Sequence, residues 1–179
     1  GAKIPVEDFE PQIAGSAPNV AVGIARLGFR SAIFSVVGAD TTGHLAFTRF
    51  KEEYVDTRYL QMRKGERSSY SMVMTYKGER TMLVAHRPHH YRLPALVPFQ
   101  WLYISEMGSD YEDLFRSVVS LVRRRGAKLA FNPGVVQLQG GVRKLAPMLK
   151  VTEVLFVNKE EGAELLNHRA APLDLHHII

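Results

Sequence analysis

Residues able to do chemistry gather in short clusters: 38–43 (GADTTG), 106–109 (EMGS), 132–134 (NPG) and 158–161 (NKEE). Each follows a short apolar, β-rich run, so each belongs at the carboxyl end of a buried strand, where α/β sheets hold their ligands. Two of these ends carry Asn and two carry an acid, and their glycines let backbone amides come close to whatever binds. Nothing here suits thiol chemistry, because the chain has no Cys. That excludes Cys nucleophiles, thiolate zinc sites and disulfides. His86, His89 and His90 lie close together, yet no acidic or further His partner completes a metal set, and they read as loop residues. Asn158 also has a plain structural reading, as the cap of a helix starting at Lys159.

The elements that must position these clusters follow from hydrophobic periodicity. Residues 18–28 place Val20, Ile24 and Leu27 at helical spacing, with Gly28 at the left-handed cap, which predicts a helix buried on that face. The run 31–37 (SAIFSVV) predicts a strand buried on both faces, and Phe47, Phe50 and Tyr54 predict a helix over 42–54. Residues 68–84 read as a hairpin turning at 77–80, with Met72, Met74 and Met82 in its core. WLYIS (101–105) predicts a strand, and Ser109 with Glu112 a capping box opening a helix that Gly126 ends. Strands at 128–131 and 153–157 and helices at 141–148 and 159–166 complete the order. Strands alternating with helices of this length predict βαβ units and a mostly parallel sheet covered on both faces.

The spacing of small residues goes further. Ala14, Gly15, Ala17, Asn19, Ala21, Gly28 and Gly38 fill every slot of the first pattern of the PfkB, or ribokinase-like, family of sugar and nucleoside kinases, which this chain resembles. VGADTTG (37–43), YVDT (54–57), KGERT (77–81), FNPG (131–134) and VNKEE (157–161) are similar to family landmarks and occur in the family's order. The resemblance implies a three-layer α/β/α sandwich with a mostly parallel sheet and a small β-lid, incomplete at both ends. It implies one incomplete domain over 1–179, with lid strands near 1–13 and 68–85. It further implies that Gly15 and Asn19 hold substrate hydroxyls, that Glu106 is an acid near the sugar, and that Asn158 and Glu161 order magnesium and the nucleotide phosphates, Glu161 through water. Chemistry agrees: an Asn amide both donates and accepts toward a vicinal diol, and magnesium dehydrates reluctantly. Asn132 is expected to order its loop.

The implied activity is phosphoryl transfer from ATP, with Mg2+, to a hydroxyl of a sugar, nucleoside or related polyol, with a homodimer formed through the lid. The family's Gly-Ala-Gly-Asp motif, which supplies the anion hole and the base, does not occur in these 179 residues. Asp40 belongs to the early Val-Gly-x-Asp loop and is not assigned as that base. No catalytic residue is therefore assigned, and the segment alone is expected to be inactive. The alternative is a noncatalytic, truncated binding or dimerisation module of the same fold.

Both ends read as cut, Gly1 standing where an initiator Met would and apolar residues closing the chain, so a segment of a longer protein is expected. With 46% apolar and 23% charged residues the composition is that of a globular protein, without a membrane-spanning run or a signal segment, and a cytoplasmic location is expected. A net charge of +5 is a mild excess. Arg123, Arg124 and Arg125 read as a solvated helix end, and Arg63, Lys64 and Arg67 as loop charges, so no nucleic-acid or membrane partner is expected.

Overall fold

Ser16–Arg26 folds as helix α1 and ends in a Schellman motif, with Gly28 N–H donating to Ala25 O and Phe29 N–H to Ile24 O. Gly28 takes φ +85°, the left-handed conformation its position demands. The structure, a computed structural model, describes residues 5, 6, 8 and 10–166 in two units, 1–66 and 67–179. Residues 5, 6, 8 and 10–13 adopt no strand, and the first four residues, part of the opening lid strand expected near 1–13, lie outside the described residues.

In the first unit α1 is followed by strand β1 (Ala32–Gly38), helix α2 (Thr41–Glu52) and strand β2 (Asp56–Arg63). β1 and β2 pair in parallel, Ser35 opposite Leu60 and Val37 opposite Met62. Ala21, Ile33, Ala46, Phe50, Val55 and Leu60 form the buried cluster, with Ile13, Ala17, Val22, Ala25, Val37 and Phe47 against it. Two expectations are corrected here. The packed face of α1 is its alanine line, and Leu27 is 72% exposed, because small side chains let the helix lie close to its neighbours. Tyr54 lies beyond α2 with φ +57° and is 90% exposed. Strand β2 was not foreseen, and Arg63, read from sequence as a loop charge, is its last residue.

The start of α2 fixes the first chemical cluster. Asp40 Oδ1 accepts the Gly43 N–H at 2.9 Å, an N-cap, and Ala39 N–H donates to Arg63 O at 2.9 Å. A Cβ on Gly43 would stand 1.9 Å from the Gly38 carbonyl oxygen, so only glycine lets this turn pass the end of β1. At the other end of α2, Arg26 binds Glu53 through two of its three guanidinium nitrogens, Nε to Oε2 at 2.7 Å and Nη2 to Oε1. Its hydrogen bonds, aided by its charge, hold the Glu53 carboxyl below the usual carboxylate range, against a smaller opposing effect of desolvation.

The second unit opens with the hairpin of β3 (Tyr70–Tyr76) and β4 (Glu79–Ala85). Its turn is the pair Lys77 and Gly78, at φ 48° and 82°, the left-handed combination that matches strand twist; Glu79 and Arg80, expected in the turn, belong to β4. Met72, Met74 and Met82, expected in a core, are about half exposed, since among the described residues the hairpin is a two-stranded sheet with no third strand to bury a face. Strands β5 (Trp101–Ile104), β6 (Lys128–Phe131) and β7 (Val154–Leu155) form a parallel sheet in chain order. Between them run α3 (Glu112–Arg125), α4 (Val135–Gln139) and α5 (Val142–Leu149), and α6 (Lys159–Leu165) follows β7.

Helix α3 buries Leu114, Phe115, Val118, Val119, Leu121 and Val122, and Phe115 meets Phe131 edge to face at 5.4 Å between ring centres. Gly126 closes α3 at φ 61°. The Ser109–Glu112 capping box does not form: α3 starts at Glu112, with Tyr111 as cap residue and no side-chain cap bond. Tyr111 is instead buried against Phe115, 4.8 Å between ring centres, and burying that ring draws the helix start past Ser109. Nor is the arginine cluster simply solvated, since Arg125 donates to the carbonyls of Leu96 and Val97 and lies over the Phe99 ring.

Two glycines give opposite expectations. Gly43→Ala should cost about 1–3 kcal/mol or more through overlap with Gly38, whereas Gly23→Ala, on an open helix position, should gain roughly 0.5–1 kcal/mol; urea midpoints of the two variants check both. The Arg26–Glu53 pair sets an acid limb. A lowered folded-state pKa gives stability that is present above the unfolded carboxylate value and lost as pH falls through the folded one. Glu53→Gln should therefore flatten the decline in melting temperature below about pH 5.

Candidate functional site

Gly15 sits at φ 118°, ψ 157°, a conformation reserved for glycine, immediately before α1. Its carbonyl accepts the Asn19 N–H at 2.9 Å, the first bond of the helix. This turn sets Asn19 one helical turn from Gly15, with its side chain exposed and its amide unbonded among the described residues. The two expected hydroxyl-holding residues are therefore neighbours in the first unit, and a β-carbon at Gly15 would strain the turn that leads to Asn19.

In the second unit the carboxyl ends of β5, β6 and β7 stand side by side. Asn132 joins all three: its N–H donates to Ile104 O at 2.8 Å, its Nδ2 donates to Phe156 O at 2.8 Å, and its Oδ1 accepts from the Tyr103 hydroxyl at 3.3 Å. It orders its loop, as expected. Glu106 follows β5 as an exposed residue pressed against the next strand end, where a Cβ on Gly134 would come 2.3 Å from the Glu106 Cβ. Gly134 thus allows the 132–134 turn to lie directly on Glu106.

Asn158 and Glu161 meet in a reciprocal capping box. Asn158 Oδ1 accepts the Glu161 N–H at 2.8 Å, and Glu161 Oε2 accepts the Asn158 N–H at 2.9 Å. The plain cap reading of Asn158 is therefore realised, and it leaves Asn158 Nδ2 and Glu161 Oε1 without bonds among the described residues. The free carboxylate oxygen can accept from a water on a magnesium ion that keeps its hydration shell, while Asn158 Nδ2 can only donate, which suits it to a phosphate oxygen rather than to the cation.

One site residue was missed from sequence. Gln137, fully buried, accepts at Oε1 from the Gly134 and Met107 amides at 3.1 and 3.2 Å, and donates from Nε2 to Met107 O at 2.8 Å. The available signal was its place three residues after the glycine that starts α4, the spacing of the returning half of a capping box. His86, His89 and His90 join no group of three His, Asp or Glu side chains that could hold a metal among the described residues, and no helix there is long and apolar enough to cross a membrane.

Glycine turns and polar side chains at the carboxyl ends of parallel strands define an α/β protein of the ribokinase-like fold. The chain belongs to the pfkB family of carbohydrate kinases, which matches residues 1–177. It is 30% identical to the fructokinase of Klebsiella pneumoniae over 135 residues, 69% of this chain and 44% of that one, so it spans less than half the length of that curated relative. Among solved structures it is similar to the 2-dehydro-3-deoxygluconokinase of Thermotoga maritima, with TM-score 0.75 and 16% identity over 94% of this chain and 57% of that one. It is also similar to the uncharacterized sugar kinase PH1459 of Pyrococcus horikoshii in complex with ATP, with TM-score 0.64 and 20% identity over 86% and 56% of the two chains.

The three strand ends depend on one amide. Asn132→Leu should strand Phe156 O and the Tyr103 hydroxyl and cost about 1–3 kcal/mol, read as a shift in the urea midpoint.

Proposed function

We propose that the protein carrying this chain is an ATP-dependent sugar kinase that moves the γ-phosphoryl group to a sugar hydroxyl. The observation that carries this reading is the family match along residues 1–177. Fructokinase and ribokinase relatives favour a sugar over a nucleoside.

In this reading Gly15 and Asn19 of the first unit hold substrate hydroxyls, and Glu106 of the second unit is a substrate-binding acid. Asn158 and Glu161 hold magnesium and the nucleotide phosphates, with Glu161 Oε1 acting through water and Oε2 staying in the cap. Magnesium, when bound, neutralises charge on the transferring phosphoryl group. The hairpin of β3 and β4, with its exposed Met72, Met74 and Leu83 on one face, serves as lid and as the contact with a second copy.

The 179 residues contain no Gly-Ala-Gly-Asp motif, which favours binding without transfer by this chain alone. Titration calorimetry with d-fructose and d-ribose, beside a radiolabelled phosphoryl-transfer assay with ATP and magnesium, tests both halves. Sugar binding without transfer is expected. Asn19→Ala and Glu106→Gln should each weaken that binding by about tenfold or more, the loss of one or two directed hydrogen bonds. Robust transfer by the chain alone would overturn the division between binding and catalysis.

A further inference from the structure

Gln137 has a part to play beyond its own helix. Its side chain is fully buried, and its amide spends every hydrogen-bonding group on backbone of the two loops that follow β5 and β6. On one side lie Met107 N–H, Met107 O and, more distantly at 3.5 Å, Gly108 O; on the other lies Gly134 N–H. Glu106 immediately precedes the residues so gripped, and its Cβ and Cα rest on Gly134, the other residue gripped. Two backbone segments that meet at Glu106 are thereby tied by one uncharged group that can donate and accept at once. A carboxylate could not make the two donations, and an aliphatic side chain could make none of the four bonds.

We propose that Gln137 is a positioning residue for sugar binding: it fixes the backbone that carries Glu106, so that the carboxylate meets the sugar in one orientation. The proposal rests on the sugar-kinase reading of Glu106. Burying the amide costs little while its bonds are satisfied, and unmaking them frees the 106–108 segment to move. A displacement of about 1 Å in a positioned group can cost on the order of 100-fold.

The test uses the full chain, with d-fructose and d-ribose titrated calorimetrically against the parent, Gln137→Leu, Gln137→Glu, Glu106→Gln and the double variant Glu106→Gln/Gln137→Leu. Gln137→Leu should weaken sugar binding roughly 10- to 100-fold, and in the Glu106→Gln background it should add little, because both act through one contact. Gln137→Glu should bind weakly at neutral pH and recover relative to the parent as pH falls. Burial raises the pKa of the introduced carboxyl, and once protonated it donates to Met107 O as the amide did. If Gln137→Leu does not fold, this recovery carries the test. Undiminished binding in both variants, fully additive losses, or no recovery on acidification would each overturn the positioning role. A parent chain that binds neither sugar would instead overturn the substrate reading, and Gln137's part in it with that reading.

Discussion

At Gly43 a single methyl group would stand 1.9 Å from the carbonyl oxygen of Gly38, and at Gly134 one would stand 2.3 Å from the β-carbon of Glu106. These two close approaches set the course of the chain as it leaves β1 and β6. A parallel strand delivers its polar backbone to one edge, and the helix that follows must begin within a few residues for its N-terminal amides to face that edge. Any side chain at either glycine would push the helix outward. Asp40 could not then reach the Gly43 amide, nor could the 132–134 turn rest on Glu106.

Around these turns, polar side chains divide by what they bond. Asn132, Gln137 and Asp40 bind backbone: the first two close gaps between elements that no regular ladder fills, and Asp40 caps the start of its own helix. Buried polar groups of this kind stabilise only when fully paired, which is why Gln137 at zero exposure has partners on both sides. Asn19 and Glu106 are exposed. Asn158 and Glu161 each give one atom to the helix start and keep another without a bond among the described residues. A residue so divided holds its own orientation before anything binds, which lowers the entropy that binding must spend.

The parts of this architecture that sequence made legible are those governed by local stereochemistry. Gly28 and Gly126 announce left-handed caps, residues 77–80 a Gly-containing hairpin turn though not its two-residue length, and the apolar stripe of α3 its buried face, because each depends on residues within one or two turns. Tertiary packing decided the rest. Strand β2 mixes Arg58, Gln61 and Arg63 with Tyr59, Leu60 and Met62, and only pairing with β1 makes it a strand. Helix α1 presents alanines inward where hydrophobicity alone would turn Ile24 and Leu27 in, since close approach rewards small residues. Ser109 and Glu112 had capping-box spacing, yet burial of Tyr111 moved the helix start. Gln137 was overlooked for a related reason: α4 is five residues long, too short for a periodic pattern to show.

Phosphoryl transfer asks little covalent chemistry of a protein and a great deal of positioning. Under the proposed reading, the hydroxyl-holding residues and those for magnesium and phosphates fall within this chain, while the anion hole and base belong to a motif it does not contain. Positioning and proton transfer would then be carried by different stretches of sequence. That separation is physically reasonable. The loops at the ends of β5, β6 and β7 are held by side-chain-to-backbone bonds within the second unit, such as Asn132 to Phe156 and Gln137 to Met107. Geometry fixed in this way needs no contribution from the catalytic base, so a sugar can be recognised by groups that do not themselves move its proton.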